Sequence, residues 1–172
     1  MTVNIKLGAL ILAGSAACAP AFALDLPPRK TGLWLVTMVM QGSSGMPARE
    51  TRLCTDASTE AAIMSLGGTM MQGICSKRDL KRAGDTVTSD SVCQMGPSQM
   101  TSHSETRFIS DSAYHMDIKT RFDPPMMGRA ESTMTQDGKW IGPCPADMRA
   151  GDIVMPNGMK LNVKTMMSGQ DK

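Results

Sequence analysis

Aromatic side chains are scarce, with two Trp, one Tyr and three Phe making up 3% of the 172 residues. A core built on large rings is therefore excluded, and smaller or more flexible side chains have to fill the interior. Histidine is limited to His103 and His115. No G-x-S-x-G, S-x-x-K, H-E-x-x-H, Gly-rich phosphate loop or EF-hand pattern occurs. Enzymatic activity is accordingly not expected, no cofactor is implied, and a hydrolase built on His103 or His115 ranks third among the functional readings. Clustered Lys and Arg are also missing, so the phosphate contacts that nucleic-acid binding needs have no source.

The one long uncharged run lies at the start. Lys6 precedes Leu7 to Ala23, which ends on Ala21-Phe22-Ala23, the small-x-small pattern read by signal peptidase. Residues 1–23 are expected to be a secretory signal cleaved before Leu24, which places the protein in the periplasm or outside the cell. A membrane anchor fits less well, because the run is marginal for the ~20 apolar residues of a span and is rich in Ala, Gly and Ser. Lipid attachment at Cys18 is a further alternative, disfavoured by Ser15 where an aliphatic residue is wanted. Cleavage removes one of 18 basic residues and none of the 16 acidic ones, leaving the chain close to neutral. No integral membrane span is then expected.

Cleavage also removes Cys18 from the five cysteines, leaving Cys54, Cys75, Cys93 and Cys144. An even set in an oxidising compartment reads as two disulfides. A zinc site usually draws on close pairs such as C-x-x-C, which are absent here. Three connectivities are open. Cys54 with Cys75 and Cys93 with Cys144 is preferred, the first bracketing a helix and the second tying a middle strand to the last.

Strand signals dominate the remainder. Gly32 to Met40, Glu50 to Asp56, Ile74 to Arg82, Thr86 to Met95, Gln99 to Ile109 and Ala113 to Phe122 read as strands. Arg129 to Gln136 and Lys139 to Ile141 follow, with Asp137-Gly138 read as the turn between them. One short helix is expected from Thr55 to Gly67, capped by Thr55 or Asp56 and stopped by Gly67-Gly68. Around Ser110-Asp111-Ser112, agreement of polarity sets a register. Phe108 faces Tyr114, Thr106 faces Met116, Ser104 faces Ile118 and Met100 faces Phe122. The other face then carries Arg107 with His115, Glu105 with Asp117 and His103 with Lys119. The expected fold is an all-β antiparallel meander curled into a half-barrel or small barrel, with one short helix and two disulfides. The domain is expected to span 24–144, with 145–172 as a peripheral C-terminal tail.

Methionine is over-represented, with 18 residues. Met38, Met40 and Met116 alternate onto the faces of Trp34, Val36, Tyr114 and Ile118 and read as core. Met126, Met127, Met166 and Met167 fall outside that pattern, and soft thioethers in pairs make periplasmic Cu(I) handling the alternative functional reading. The leading reading is an exported, non-enzymatic binding or interaction module whose partner is a small apolar ligand or an envelope protein.

Gly32-Leu33-Trp34, Cys54-Thr55, Gly84-Asp85-Thr86-Val87, Cys93, Met100-Thr101 and Gly138-Lys139-Trp140-Ile141-Gly142-Pro143-Cys144 form an ordered set of landmarks. By these, the chain resembles the bacterial exported-protein family catalogued as domain of unknown function 3617. The likeness runs from about Lys30 to Cys144 and rests on order and spacing. It implies no catalytic or ligand-binding residues, because that family has no characterised role.

Overall fold

A computed structural model describes residues 26–41, 47–60, 62–63 and 73–168. Its strands are β1 (Gly32–Gln41), β2 (Arg49–Thr55), β3 (Cys75–Ala83), β4 (Thr86–Met95), β5 (Ser98–Ser110), β6 (Ala113–Met126), β7 (Arg129–Gly142), β8 (Asp152–Val154) and β9 (Lys160–Asn162). They form one antiparallel sheet of nine strands in the order β3-β4-β5-β6-β7-β1-β2-β8-β9. Among the described residues two short helices accompany it: α1, at residues 57–60 and 62–63, and α2 (Val163–Ser168). The expected signal Met1–Ala23, with Cys18, lies outside the described residues, as does the expected helix beyond residue 63.

The expected antiparallel meander is present. No pairing joins β3 to β9 among the described residues, so the closed-barrel alternative has no support. The β5–β6 register agrees pair by pair with the one read from polarity, from Phe108 opposite Tyr114 to Met100 opposite Phe122. Matching side chains on the two strands is what fixes register where one face is sheltered.

Four features differ from expectation. Asp137-Gly138 is not a turn, because β7 runs unbroken through it and Gly138 pairs with Tyr114 on one side and Val36 on the other. Gly138 is required for space: a Cβ there would lie 1.9 Å from Tyr114 Cε1, overlapping the edge of the ring. Strand β6 continues past Phe122 through Asp123-Pro124-Pro125 to Met126. The prolines fall where the ladder to β7 is interrupted between Arg121 and Met126, so their missing N–H groups break no pairing with that strand.

The disulfides are Cys54–Cys144 and Cys75–Cys93, not Cys54 with Cys75 and Cys93 with Cys144. Cys75 and Cys93 are register partners in the β3–β4 hairpin. Cys54 pairs with Leu33 in β1, and Leu33 pairs with Gly142 at the end of β7, which brings Cys144 round to Cys54 with the Cα atoms 5.6 Å apart.

The segment after Cys144 sits at the sheet edge yet is integral to it. β8 pairs with β2, β9 pairs with β8, and the Gly151 amide donates to the Cys54 carbonyl. Met148 and Val163 are buried there. Asn162 caps α2 by accepting from the Lys164 amide at 3.0 Å, and its own side-chain amide donates to buried Asp152 at 2.7 Å.

Candidate functional site

Paired residues in a ladder share a face, so the sheet can be read row by row across its strands. Phe108, Tyr114, Gly138, Val36 and Thr51 form one row. Val87, Thr106, Met116, Gln136 and Met38 form the next. Leu80, Ser89, Ser104, Ile118, Met134 and Met40 form the third. Ser91, Ser102, Thr120 and Ser132 form a fourth, made of hydroxyls, in which Ser102 and Thr120 bond to each other at 3.0 Å. The face thus grades from apolar to hydroxylic.

The first two rows, Gly138 apart, and Leu80, Ser89 and Ser104 of the third line a cavity of about 510 Å³. Every strand from β1 to β8 contributes to its wall, so one face is concave around a common space. Leu26, Pro27 and Arg29 before β1, and Glu60 and Ile63 on α1, close part of the rim. The size falls within the range of small-molecule sites, ~300–1,000 Å³.

At one end the cavity carries a polar cluster. Asp56 positions α1 as its N-cap, accepting from the Thr59 amide at 2.7 Å while the Thr59 hydroxyl accepts from the Asp56 amide at 2.7 Å. The Ser58 hydroxyl first, and the Thr59 amide second, hold the Asp56 carboxyl down at about 2. Glu60, one residue on, is thereby aimed inward and ion-pairs with Arg29 through Oε2. The Arg29 guanidinium also lies 5.3 Å from the Trp34 ring centroid and 5.5 Å from that of Tyr114. Tyr114 stacks obliquely on Trp34 at 5.9 Å and Phe108 at 6.3 Å, and its hydroxyl accepts from Gln136 Nε2 at 2.8 Å. Burial raises the Tyr114 phenol above its ordinary pKa, so it keeps its proton. Among the described residues, two buried polar atoms have no hydrogen-bond partner, Thr51 Oγ1 and Glu60 Oε1, and both residues line this cavity.

The other face of the sheet is charged. His115 Nδ1 lies 2.7 Å from Asp137 and its Nε2 lies 3.3 Å from Asp117, while His103 bonds Asp90 at 2.7 Å. The Asp137 hydrogen bond, chiefly, raises the His115 pKa. The two histidines sit in separate pairs, and neither they nor any cysteine lines the cavity. Among the described residues no three His, Cys, Asp or Glu side chains gather as a metal site.

The methionines divide by position. Met38 and Met116 line the cavity wall. Met126 and Met127 stand at the β6–β7 turn, where Met127 is 97% exposed. Met166 and Met167 belong to α2, which is tied through Gly151 to Cys54 and so lies near the far end of β7. The 14 residues of β7 separate the two pairs by on the order of 40 Å at about 3.3 Å per residue. They do not come together around one ion. Sequence reasoning did not single out Arg29 or Glu60, which are 31 positions apart and meet only through the fold.

A single antiparallel sheet with one charged face and one cavity-forming face defines the class of protein. A family model described as "Protein of unknown function (DUF3617)" matches residues 29–144. The chain belongs to that family, as the landmarks from Gly32 to Cys144 imply. No curated protein and no solved structure matches it. The matched span contains the polar cluster and all of β1 to β7, and leaves β8 and β9 outside.

Proposed function

We propose that this protein is an exported, non-catalytic binding module that holds a small apolar ligand against the concave face of its sheet. The cavity of about 510 Å³ with apolar walls from eight strands carries this reading. A sheet of this size would ordinarily cover such a face with a second layer, since burying apolar surface is the main favourable term in folding. Here the first rows instead surround a space. Export to the periplasm or beyond rests on Met1–Ala23, and two disulfides suit an oxidising compartment.

The test is titration of the full chain with N-phenylnaphthylamine, a neutral apolar fluorophore. Saturable one-to-one binding is expected, and Met116→Trp, which fills the cavity from its wall, should abolish it while leaving the melting temperature within a few degrees. Absence of saturable binding, or binding that Met116→Trp leaves unchanged, overturns the reading.

A further inference from the structure

Resting on that binding reading, we infer that the polar cluster recognises the head of a single-chain amphiphile, and that the head is an uncharged hydrogen-bond donor such as a hydroxyl. Three observations lead there.

The first is the charge balance of the cluster. Arg29 and Glu60 neutralise each other at the cavity rim, and Asp56 points away to cap α1. A charged head would meet one member of that pair as an attractor and the other as a like charge. An uncharged head meets no such opposition.

The second is the direction of the unmet hydrogen bonds. Glu60 Oε1 is buried and, among the described residues, unpartnered; a carboxylate oxygen can only accept. It therefore asks for a donor, which an ionised carboxylate or sulfate head lacks. Thr51 is 9% exposed and its Oγ1 is likewise unpartnered, so a hydroxyl of either polarity fits it. Tyr114 accepts from Gln136 and, because burial keeps its phenol protonated, retains a proton to give. A ligand hydroxyl both donates and accepts, which matches this mixture. Leaving the Oε1 acceptor unmet costs free energy, so a head that donates to it is preferred.

The third is where the apolar part has to go. From the cluster, Val36, Met38, Val87, Met116 and Leu80 continue along the wall toward the Ser/Thr row. A flexible chain lies along such a surface, and methionine adapts to it.

The experiment displaces bound N-phenylnaphthylamine with dodecanol and, separately, with dodecanoate at pH 8, where the acid is ionised. The alcohol should bind about tenfold or more tightly than the carboxylate, the worth of one hydrogen bond to a charged group. Glu60→Gln keeps the shape of the site but leaves Arg29 unneutralised, so it should erase or reverse that order. Thr51→Val should weaken dodecanol several-fold. Equal affinity for the two amphiphiles in the unmodified protein, or a preference that survives Glu60→Gln, sinks the head-group assignment while the cavity reading stands. Failure of the fluorophore itself to bind removes both.

Discussion

Replacing Gly138 by Ala is the sharpest test of how the concave face is built. The added methyl would start 1.9 Å from Tyr114 Cε1, 2.3 Å from Cζ and 2.6 Å from Cδ1, so the ring has to leave its position. Overpacking of this kind costs about 1 to 3 kcal/mol by itself. Displacing the ring also loosens its contacts with Trp34 and Phe108, each worth about 0.5 to 1.5 kcal/mol, and its bond from Gln136, worth about 1 kcal/mol. A total of about 3 kcal/mol is expected, or a fall in Tm of about 6 to 12 °C for a chain of this size. Urea denaturation followed by Trp fluorescence measures it, and Trp34 reports directly because it packs on Tyr114. The same substitution in a Tyr114→Ala background should cost far less, since the obstructing ring is gone. A Gly138→Ala protein within about 0.5 kcal/mol of the parent refutes the steric account. An undiminished cost in the Tyr114→Ala background does the same.

Peptide mapping without reduction should yield Cys54–Cys144 and Cys75–Cys93 peptides, and a Cys54–Cys75 peptide would contradict the fold. By loop entropy the bridge spanning 90 residues constrains the unfolded chain by about 4.6 kcal/mol and that spanning 18 by about 3.2 kcal/mol, so replacing Cys54 and Cys144 with Ser should destabilise more. His115 has its pKa raised above 6.5 first by the Asp137 hydrogen bond, so its contribution to stability is full below 6.5 and is lost as pH rises through the raised value. NMR titration should place its midpoint above 6.5 and find it lowered in Asp137→Asn; an unmoved midpoint contradicts the pairing. Asp56 is depressed from 3.8 to about 2, so its contribution is present above 3.8 and disappears as pH falls through about 2. Asp56→Ala should cost about 1 kcal/mol at neutral pH as a lost N-cap, and melts near pH 2 should show the difference closing.

Strand positions were legible because turn residues and alternation agree along most of the chain. The Ser110-Asp111-Ser112 turn fixes which residues face each other, and polarity then sorts Tyr114, Met116 and Ile118 from His115, Asp117 and Lys119. Equivalent reasoning about the Gly84-Asp85 turn brings Cys75 to within one residue of Cys93, and the register shift between Cys75 and Lys77 completes the pairing, yet the helix between Cys54 and Cys75 suggested a bracket instead. The bracketed helix was the misleading cue, since Cys75 and Cys93, 18 apart, are the nearer pair in sequence. Asp137-Gly138 misled for a different reason: Asp-Gly is a strong hairpin signal, whereas this glycine answers to a ring on the neighbouring strand. Of the cavity's polar end, the sequence signalled only the Asp56 cap of α1. Arg29 and Glu60 belong to segments with no shared period, and they meet only because the fold brings α1 against the segment before β1.

The placement of the two bridges bears on how a concave face can stay unfilled. Cys75–Cys93 fastens the edge strand β3 to β4, and Cys54–Cys144 fastens β2 to the end of β7 across β1. Both residues of each pair belong to, or adjoin, the sheet itself. Their stabilisation therefore does not require side chains in the space enclosed by the curve. The buried apolar residues follow the same distribution, with Trp34 and Tyr114 at the cavity's polar end, Val87 on its wall, Cys93 in the β3–β4 bridge, and Cys54, Met148 and Val163 toward the β8–β9 edge. A sheet held by its ends and edges can leave Met38, Met116 and Leu80 facing a space rather than a core. On this view the unfilled face and the covalent cross-links are two consequences of one arrangement. Removing the bridges should then lower the stability of the unliganded and the ligand-saturated protein by the same amount, because a ligand bound only by the folded state adds an equal increment to both while its affinity is unchanged; a loss of affinity on removing a bridge would show that the cross-links shape the concave face.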